Sequence, residues 1–122
     1  MNTEVRDMLI EIARKKGIIY YQELCDGCKL PLNMRDNPQD RLEIGSILGE
    51  ISTYEHKNGR SLLSSIVLTR SGGEGDGFYK LCEELGIASD WRKLKRDEFF
   101  AVQEITKCHD FWKDDINFIN YK

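Results

Sequence analysis

The sequence contains no long apolar run. No stretch approaches the roughly 18 consecutive apolar residues that a transmembrane helix needs, so we expect a soluble protein with no membrane partner. The first residues, MNTEVRDMLIEIARKK, mix charged and apolar side chains from the start. This pattern excludes a secretory signal peptide, and we therefore expect a cytoplasmic protein.

The chain also lacks an excess of positive charge. Its 18 lysine and arginine residues face 21 aspartate and glutamate residues, which gives a formal net charge of -3. No global positive field draws such a chain to nucleic acid or to a membrane, so binding of that kind requires a local basic patch. Internal repeats and low-complexity tracts are absent as well. With 122 residues, of which 40% are hydrophobic, the chain can bury one core, and we expect a single domain spanning residues 1–122.

The four cysteines lack the arrangement of a complete metal site. Cys25 and Cys28 have the spacing of half a zinc site, but no second closely spaced pair completes it. Cys108 and His109 are the other candidate ligands, and their side chains point in different directions on a helix. We predict thiols in a reducing compartment, with no metal and no cofactor. Whether Cys25 and Cys28 bind metal stays open.

Hydrophobic spacing predicts a chain of the α+β class, mostly α, with a small sheet and a C-terminal helix. The predicted elements are a helix capped by Thr3 and ending at Gly17, a short strand at 18–20, a short helix at 21–26, a loop at 29–37, a long helix from Pro38 to Asn58, a strand at 62–69, a helix at 78–85 and a final helical region capped by Ser89 or Asp90. Residues 117–122 fit either a terminal strand or a packed tail.

Two glycine patterns carry structural interpretations. Gly45 and Gly49 are spaced so that another backbone could approach the long helix closely. The loop SGGEGDG after the predicted strand superficially matches a phosphate cradle, but Glu74 and Asp76 put negative charge where a phosphate would lie. We interpret this loop as a wing or a turn whose glycines need positive φ.

Glu50, Glu55 and His56 suggest general acid–base catalysis, because a carboxylate can orient an imidazole and shift its pKa. Adjacent helical residues do not face each other, however, so Glu55 is poorly placed to orient His56. Serines 61, 64 and 65 lie nearby, but no strained GxSxG elbow accompanies them. We therefore predict that the protein is not an enzyme and has no catalytic residues.

The densest basic segment is WRKLKR at residues 91–96, with four cations in six residues. Its tryptophan could stack on a sugar or base, and its cations could contact phosphates. Acidic residues flank the segment and reduce its field, so the alternative is a solvated helical surface. A second, smaller basic cluster lies at residues 14–16.

Three short segments resemble motifs of one family. They are Tyr21-Gln22-Glu23-Leu24, Leu42-Glu43-Ile44-Gly45 and Leu63-Ser64-Ser65-Ile66-Val67. In their order and spacing they resemble Tyr-Gly-Glu-Leu/Val-Ala, Arg-Ala-Val-Gly and Pro-Cys-His-Arg-Val of the winged-helix domain in alkyltransferase and alkyltransferase-like DNA-repair proteins. The resemblance covers residues 18–78. Part of this stretch, from Leu48 to Tyr79, is also similar to small uncharacterised bacterial proteins, which suggest no activity.

The departures from the alkyltransferase pattern decide what the resemblance implies. The reactive cysteine position holds Ser64, the following histidine position holds Ser65, and the arginine that enters the DNA stack is replaced by Leu42. Alkyl transfer is therefore excluded. A loop of roughly ten residues also separates two helices that a tight turn joins in the family. What the resemblance still implies is a winged-helix fold with DNA as a partner.

We therefore predict a winged-helix-like domain with a C-terminal helical extension that binds nucleic acid, in bacterial regulation, repair or mobile-element defence. The alternative is a winged-helix module that binds another protein, which suits the acidic balance better. The predicted nucleic-acid contacts are Arg41, Lys57, Arg60, Arg70, Arg92, Lys93, Lys95 and Arg96. The oligomeric state is left open.

Overall fold

The structure, a computed structural model, describes all 122 residues. It is 65% helical, with seven α-helices and a two-stranded parallel sheet, which confirms the predicted fold class of α+β, mostly α. The elements are α1 (Thr3–Arg14), β1 (Ile19–Tyr20), α2 (Tyr21–Gly27), α3 (Pro38–Lys57), a 3₁₀ helix (Leu63–Ile66), β2 (Val67–Leu68), α4 (Asp76–Glu84), α5 (Trp91–Arg96), α6 (Phe100–Lys113) and α7 (Asp115–Tyr121).

The ends of the long helix α3 are as predicted. The side chain of Asn37 accepts a hydrogen bond from the backbone N–H of Gln39 at 3.0 Å, and Pro38 occupies the first turn, where its missing N–H costs nothing. The helix stops before Gly59, which has a φ of +74°. At α1 the predicted cap is wrong, because Asn2 rather than Thr3 accepts from the N–H of Val5.

The predicted strand at 62–69 is mostly wrong. Only Val67 and Leu68 form a strand, and they pair in parallel with Ile19 and Tyr20 of β1. The preceding residues form the 3₁₀ helix, which Ser52 of α3 fixes in place. The Ser52 hydroxyl donates to the Ser64 hydroxyl at 2.7 Å and accepts from the Ser64 N–H at 3.1 Å. A buried apolar run fits either structure, so its sequence does not distinguish them.

The C-terminal third forms three helices. The predicted Asp90 cap is confirmed, since its side chain accepts from the N–H groups of Arg92 and Lys93. The single final helical region is wrong, because Asp97 leaves the helical conformation and ends α5 before α6 begins. The segment at 117–122 is no strand, since residues 117–121 belong to α7. Asp114 caps this helix, and Phe118 packs it on the main core.

Two apolar clusters lie under these elements. The larger one joins α1, α2, α3, the 3₁₀ helix and α6, with Trp112 as its largest fully buried side chain. The smaller one consists of Leu62, Phe78, Tyr79 and Cys82, and α5 packs against it through Trp91 and Leu94. No helix is at once long and apolar enough to cross a membrane. The layout leaves one face of α3 beside α4 uncovered.

Candidate functional site

A groove crosses the uncovered face of α3 and continues to the loop before α4. Two adjoining cavities form it, with volumes of about 990 Å³ and 860 Å³. Both are lined by Tyr21, Arg41, Gly45 and Gly77, so they make one continuous depression.

The first cavity lies between α3 and α4. Gly45 and Gly49 form part of its α3 wall, while Lys80 and Leu81 contribute from α4. The predicted close approach of another backbone to these glycines is wrong, since a Cβ atom at either position would meet no atom within 4 Å. The glycines therefore border open space in the groove.

The second cavity lies between the loop before α3 and the loop before α4. Three arginines line it, namely Arg35, Arg41 and Arg70. The guanidinium of Arg70 lies over the ring of Tyr20, 4.5 Å from its centroid, and this cation–π contact restrains the side chain. None of the three arginines forms an ion pair within the chain. Their donors are therefore available to a ligand.

The groove is positive although the chain is negative. Its cations are Arg35, Arg41, Lys57, Arg70 and Lys80, and its carboxylates are Glu50, Asp76 and Glu84. Five cations against three carboxylates give a local charge of +2, compared with -3 for the whole chain. The groove is therefore a local basic patch on an acidic chain.

Helix α5 lies beside this groove, because one of its lysines pairs with a residue of the groove lining. Lys95 of α5 forms an ion pair with Asp76, which lines the second cavity. The hydrogen bond from Lys95 holds the pKa of the Asp76 carboxyl below its usual range, and the charges of Lys95, Lys80 and Arg92 act in the same direction. The guanidinium of Arg92 also lies 4.5 Å from the centroid of the Trp91 ring. The basic segment therefore extends the positive surface beyond the cavity.

Arg60, which the sequence predicts as a nucleic-acid contact, does not line the groove. Its side chain is only 6% exposed and lies against the fully buried carboxylate of Glu55. The Arg60 Nε–H donates to Glu55 Oε2 at 2.8 Å, and Nη2 lies 2.7 Å from the same oxygen without the geometry of a hydrogen bond. Arg6 donates to the other carboxylate oxygen. The charge of Arg60 is thus held inside the protein, away from any ligand in the groove.

The residues considered for catalysis have structural contacts. Glu55 is held by Arg6 and Arg60 and makes no hydrogen bond to His56. Ser64 lines the first cavity, but its hydroxyl and N–H are both engaged by Ser52. No nucleophile with an adjacent base is assembled at the groove from these side chains.

The cysteine pair lies at α2, away from the groove lining. Cys25 and Cys28 are both buried, and Cys28 Sγ lies 3.7 Å from the sulfur of Met8. Burial raises the pKa of the Cys25 thiol to about 11, which disfavours the thiolate that a metal ion would bind. Nowhere does the chain group three histidine, cysteine, aspartate or glutamate side chains that could hold a metal ion.

The structure brings together most, though not all, of the predicted contacts. Arg41, Lys57 and Arg70 line the groove, and the four cations of α5 lie on the helix that borders it. Sequence reasoning missed Arg35 and Lys80. Lys80 could have been found from helical spacing, because it follows Gly77 by three residues and lies on the same face of α4. Arg35 lies in an irregular loop, where no periodicity marks a face.

Comparisons with known proteins add no relative: no protein-family model, no curated protein and no solved structure matches the chain. The winged-helix resemblance and the activity that it implies therefore stay predictions. The groove has to be interpreted from its own chemistry.

Proposed function

We propose that the protein binds nucleic acid, without catalysis, in the groove between α3 and α4. The observation that carries this proposal is the set of five cations that line a continuous depression in a chain of negative net charge. Nucleic acid presents a regular line of phosphates, and its affinity for protein comes largely from such contacts. An extended basic groove can follow such a line of phosphates.

A single strand is the form that this groove fits best. Proteins that bind single strands combine a positively charged groove with aromatic side chains on which bases stack. Tyr21 lines both cavities and Tyr54 lines the first, and the Tyr54 side chain is exposed. The α3 face forms a wall of a depression beside α4. It is therefore less suited to entering the major groove of a duplex, which a recognition helix must do.

The basic segment of α5 extends the same surface. Lys93 and Arg96 are exposed and form no ion pair, and Arg92 and Lys95 lie near Asp76 at the edge of the second cavity. We assign Arg92, Lys93 and Arg96 to phosphates that leave the groove at this end, while Lys95 stays paired with Asp76. Because the contacts are to the backbone, they contribute affinity and little sequence preference.

Fluorescence anisotropy with labelled oligonucleotides tests the proposal. Single-stranded DNA, single-stranded RNA and duplex DNA of one sequence are titrated at about 50 mM salt, where phosphate contacts are strongest. We expect single strands to bind more tightly than the duplex. Loss of two groove cations in the double variant Lys57→Gln/Lys80→Gln should weaken binding by roughly tenfold, about equally across sequences.

The matched control removes two cations elsewhere. Lys15 and Lys16 are exposed, form no ion pair and line neither cavity, so Lys15→Gln/Lys16→Gln changes net charge by the same amount. We expect its affinity to stay within about twofold of the unmodified protein, because distant exposed charges are largely screened. Equal weakening in both double variants, or no binding to any of the three nucleic acids, would contradict the proposal.

The second candidate function, binding of another protein, is favoured by a different surface. Phe99 and Val102 are exposed at the start of α6, and Ile116 and Ile119 are exposed separately on α7. Ile116 and Ile119 are three residues apart on α7 and share one face. Sedimentation velocity over a range of concentrations tests one case, self-association through this face. Self-association that is abolished by Ile116→Glu/Ile119→Glu would support the second function. A monomer at all concentrations would exclude self-association through this face.

A further inference from the structure

We propose that the arginine-lined cavity at one end of the groove binds a phosphate monoester, as carried by the terminal phosphate of a nucleic-acid strand or by a free mononucleotide. The strand-end form of this inference rests on the proposed function, because it assigns one end of the bound strand. Arg35, Arg41 and Arg70 are three of the 13 residues that line this cavity.

The three arginines are the strongest indication of an anionic ligand. Arg6, Arg14 and Arg60 each pair with a carboxylate of the chain, whereas the three arginines of this cavity, like Arg92 and Arg96 of α5, pair with none. The guanidinium group donates in a planar fork that matches two oxygens of a phosphate. Three such groups around one cavity provide more donors than a single backbone diester can use.

The positive charge of the cavity favours a phosphate monoester over a backbone phosphodiester. A phosphate monoester carries a charge of about -1.5 to -2 at pH 7 and has three strong acceptor oxygens, whereas a backbone diester carries a single negative charge. The one carboxylate that lines this cavity, Asp76, is paired with Lys95. Its repulsion of a bound phosphate is therefore partly offset, and the additional charge of a terminal phosphate is favoured.

The rest of the lining accommodates an attached nucleoside. Tyr21, Met34, Ile44 and Leu68 give the cavity an aromatic and apolar part, which suits the faces of a base and sugar. Its volume of about 860 Å³ lies within the roughly 300–1,000 Å³ of small-molecule sites. Because the second cavity opens into the first, a strand whose end is held here can continue along α3.

The test compares oligonucleotides that differ only at their ends. One short single strand is prepared with a 5′-phosphate, with a 3′-phosphate and with hydroxyls at both ends, and a nucleoside monophosphate is the free ligand. Affinities are measured for the unmodified protein, for Arg35→Gln/Arg70→Gln and for Lys57→Gln/Lys80→Gln. We expect one phosphorylated strand to bind about tenfold more tightly than the hydroxyl strand. Arg35→Gln/Arg70→Gln should abolish that preference, and Lys57→Gln/Lys80→Gln should keep it at a lower overall affinity.

The possible outcomes separate this inference from the proposed function. If all three strands bind equally, the monoester site is overturned while nucleic-acid binding stands. If the mononucleotide binds and is lost in Arg35→Gln/Arg70→Gln, but no strand binds, the site holds for a free nucleotide and the proposed function fails. If neither binds, both fail. Circular dichroism shows whether the variants fold, and Arg41→Gln provides an independent single variant that should also reduce the preference.

Discussion

Arg6 and Glu55, 49 residues apart in the sequence, form a buried ion pair in which Arg6 Nη2 lies 2.9 Å from Glu55 Oε1. The same Nη2 donates to the backbone carbonyl of Tyr121 at 2.8 Å, while the second oxygen of Glu55 accepts from Arg60. The Tyr54 ring lies 5.3 Å from each guanidinium. One carboxylate therefore connects α1, α3, the segment after α3 and the end of α7.

The first prediction concerns the stability supplied by Glu55. Glu55→Gln leaves two arginines near each other in the interior without a compensating charge, and breaking a buried pair in this way costs about 3–5 kcal/mol. We expect a loss of this size in the free energy of unfolding, measured by urea denaturation. Glu43→Gln, an exposed change on the same helix, should lie within about 0.5 kcal/mol of the unmodified protein. A loss below about 1 kcal/mol for Glu55→Gln would mean that the pair does not hold these elements together.

The second prediction uses the glycines that border the groove. Gly45 and Gly49 lie inside α3, and a Cβ atom added at either one would have open space around it. Alanine should therefore raise the free energy of unfolding by about 0.5–1 kcal/mol at each position. Gly86→Ala is the matched control, because its φ of +77° is unfavourable for alanine and should lower stability by about 1 kcal/mol. Destabilisation by alanine at Gly45 or Gly49 would indicate contacts that the structure does not show.

The third prediction concerns the pH dependence contributed by Glu74. Burial raises the pKa of Glu74 above its ordinary value of 4.5. Oε1 has no hydrogen-bond partner, and the Tyr79 hydroxyl is 3.4 Å from Oε2. Burial raises the pKa values of its neighbours Tyr21 and Cys82, and the charge of Glu74 also raises them. None of these three neighbours carries a positive charge that would offset the buried carboxylate.

The sign follows from proton linkage. The folded state binds the Glu74 proton more tightly than the unfolded chain does, so its stabilising contribution is full below pH 4.5 and is lost as pH rises through the folded-state pKa. Glu74→Gln carries no charge at any pH. We therefore expect its free energy of unfolding, relative to the unmodified protein, to increase as pH rises from about 4 to 8. Urea denaturation across this range measures the difference, with the exposed change Glu98→Gln as control, and a difference that does not vary with pH would refute the assignment.

The fourth prediction concerns the reactivity of the thiols. All four cysteines are buried and free. Burial raises the pKa of Cys82 and of Cys108 to about 12, and the thiolate is the reactive form. In the folded protein at pH 8 we expect slow reaction with a disulfide reagent such as dithionitrobenzoate, and four rapid equivalents after denaturation. Rapid reaction of one thiol in the folded state would show that its surroundings are open.

The sequence predicted local elements better than it predicted the site. Asn37 and Pro38 mark the start of α3 because capping chemistry is local, and the same holds for Asp90 at α5. The sequence predicts Arg60 as an accessible cation, because it does not show that Arg60 and Arg6 share the buried carboxylate of Glu55. Tertiary folding brings Arg6 to that carboxylate. The prediction of a strand at 62–69 is wrong for a related reason. The Ser52–Ser64 contact that favours the 3₁₀ helix joins two different elements, so it depends on tertiary folding.

The groove shows the same division between local and tertiary information. The sequence predicts Arg41, Lys57 and Arg70 as separate contacts, whereas their shared lining with Arg35 and Lys80 depends on how α4 lies beside α3. The openness around Gly45 and Gly49 could not be inferred either, because the same spacing permits a close backbone contact.

The salt dependence of single-strand affinity tests the central claim most directly. If groove cations contact phosphates, log affinity should fall linearly with log salt, and each contact contributes about 0.7 to the slope for a single strand. Lys57→Gln/Lys80→Gln should therefore flatten the slope by about 1.4 relative to the unmodified protein, while Lys15→Gln/Lys16→Gln leaves it unchanged. A slope that stays the same when Lys57 and Lys80 are replaced would contradict binding in the groove between α3 and α4.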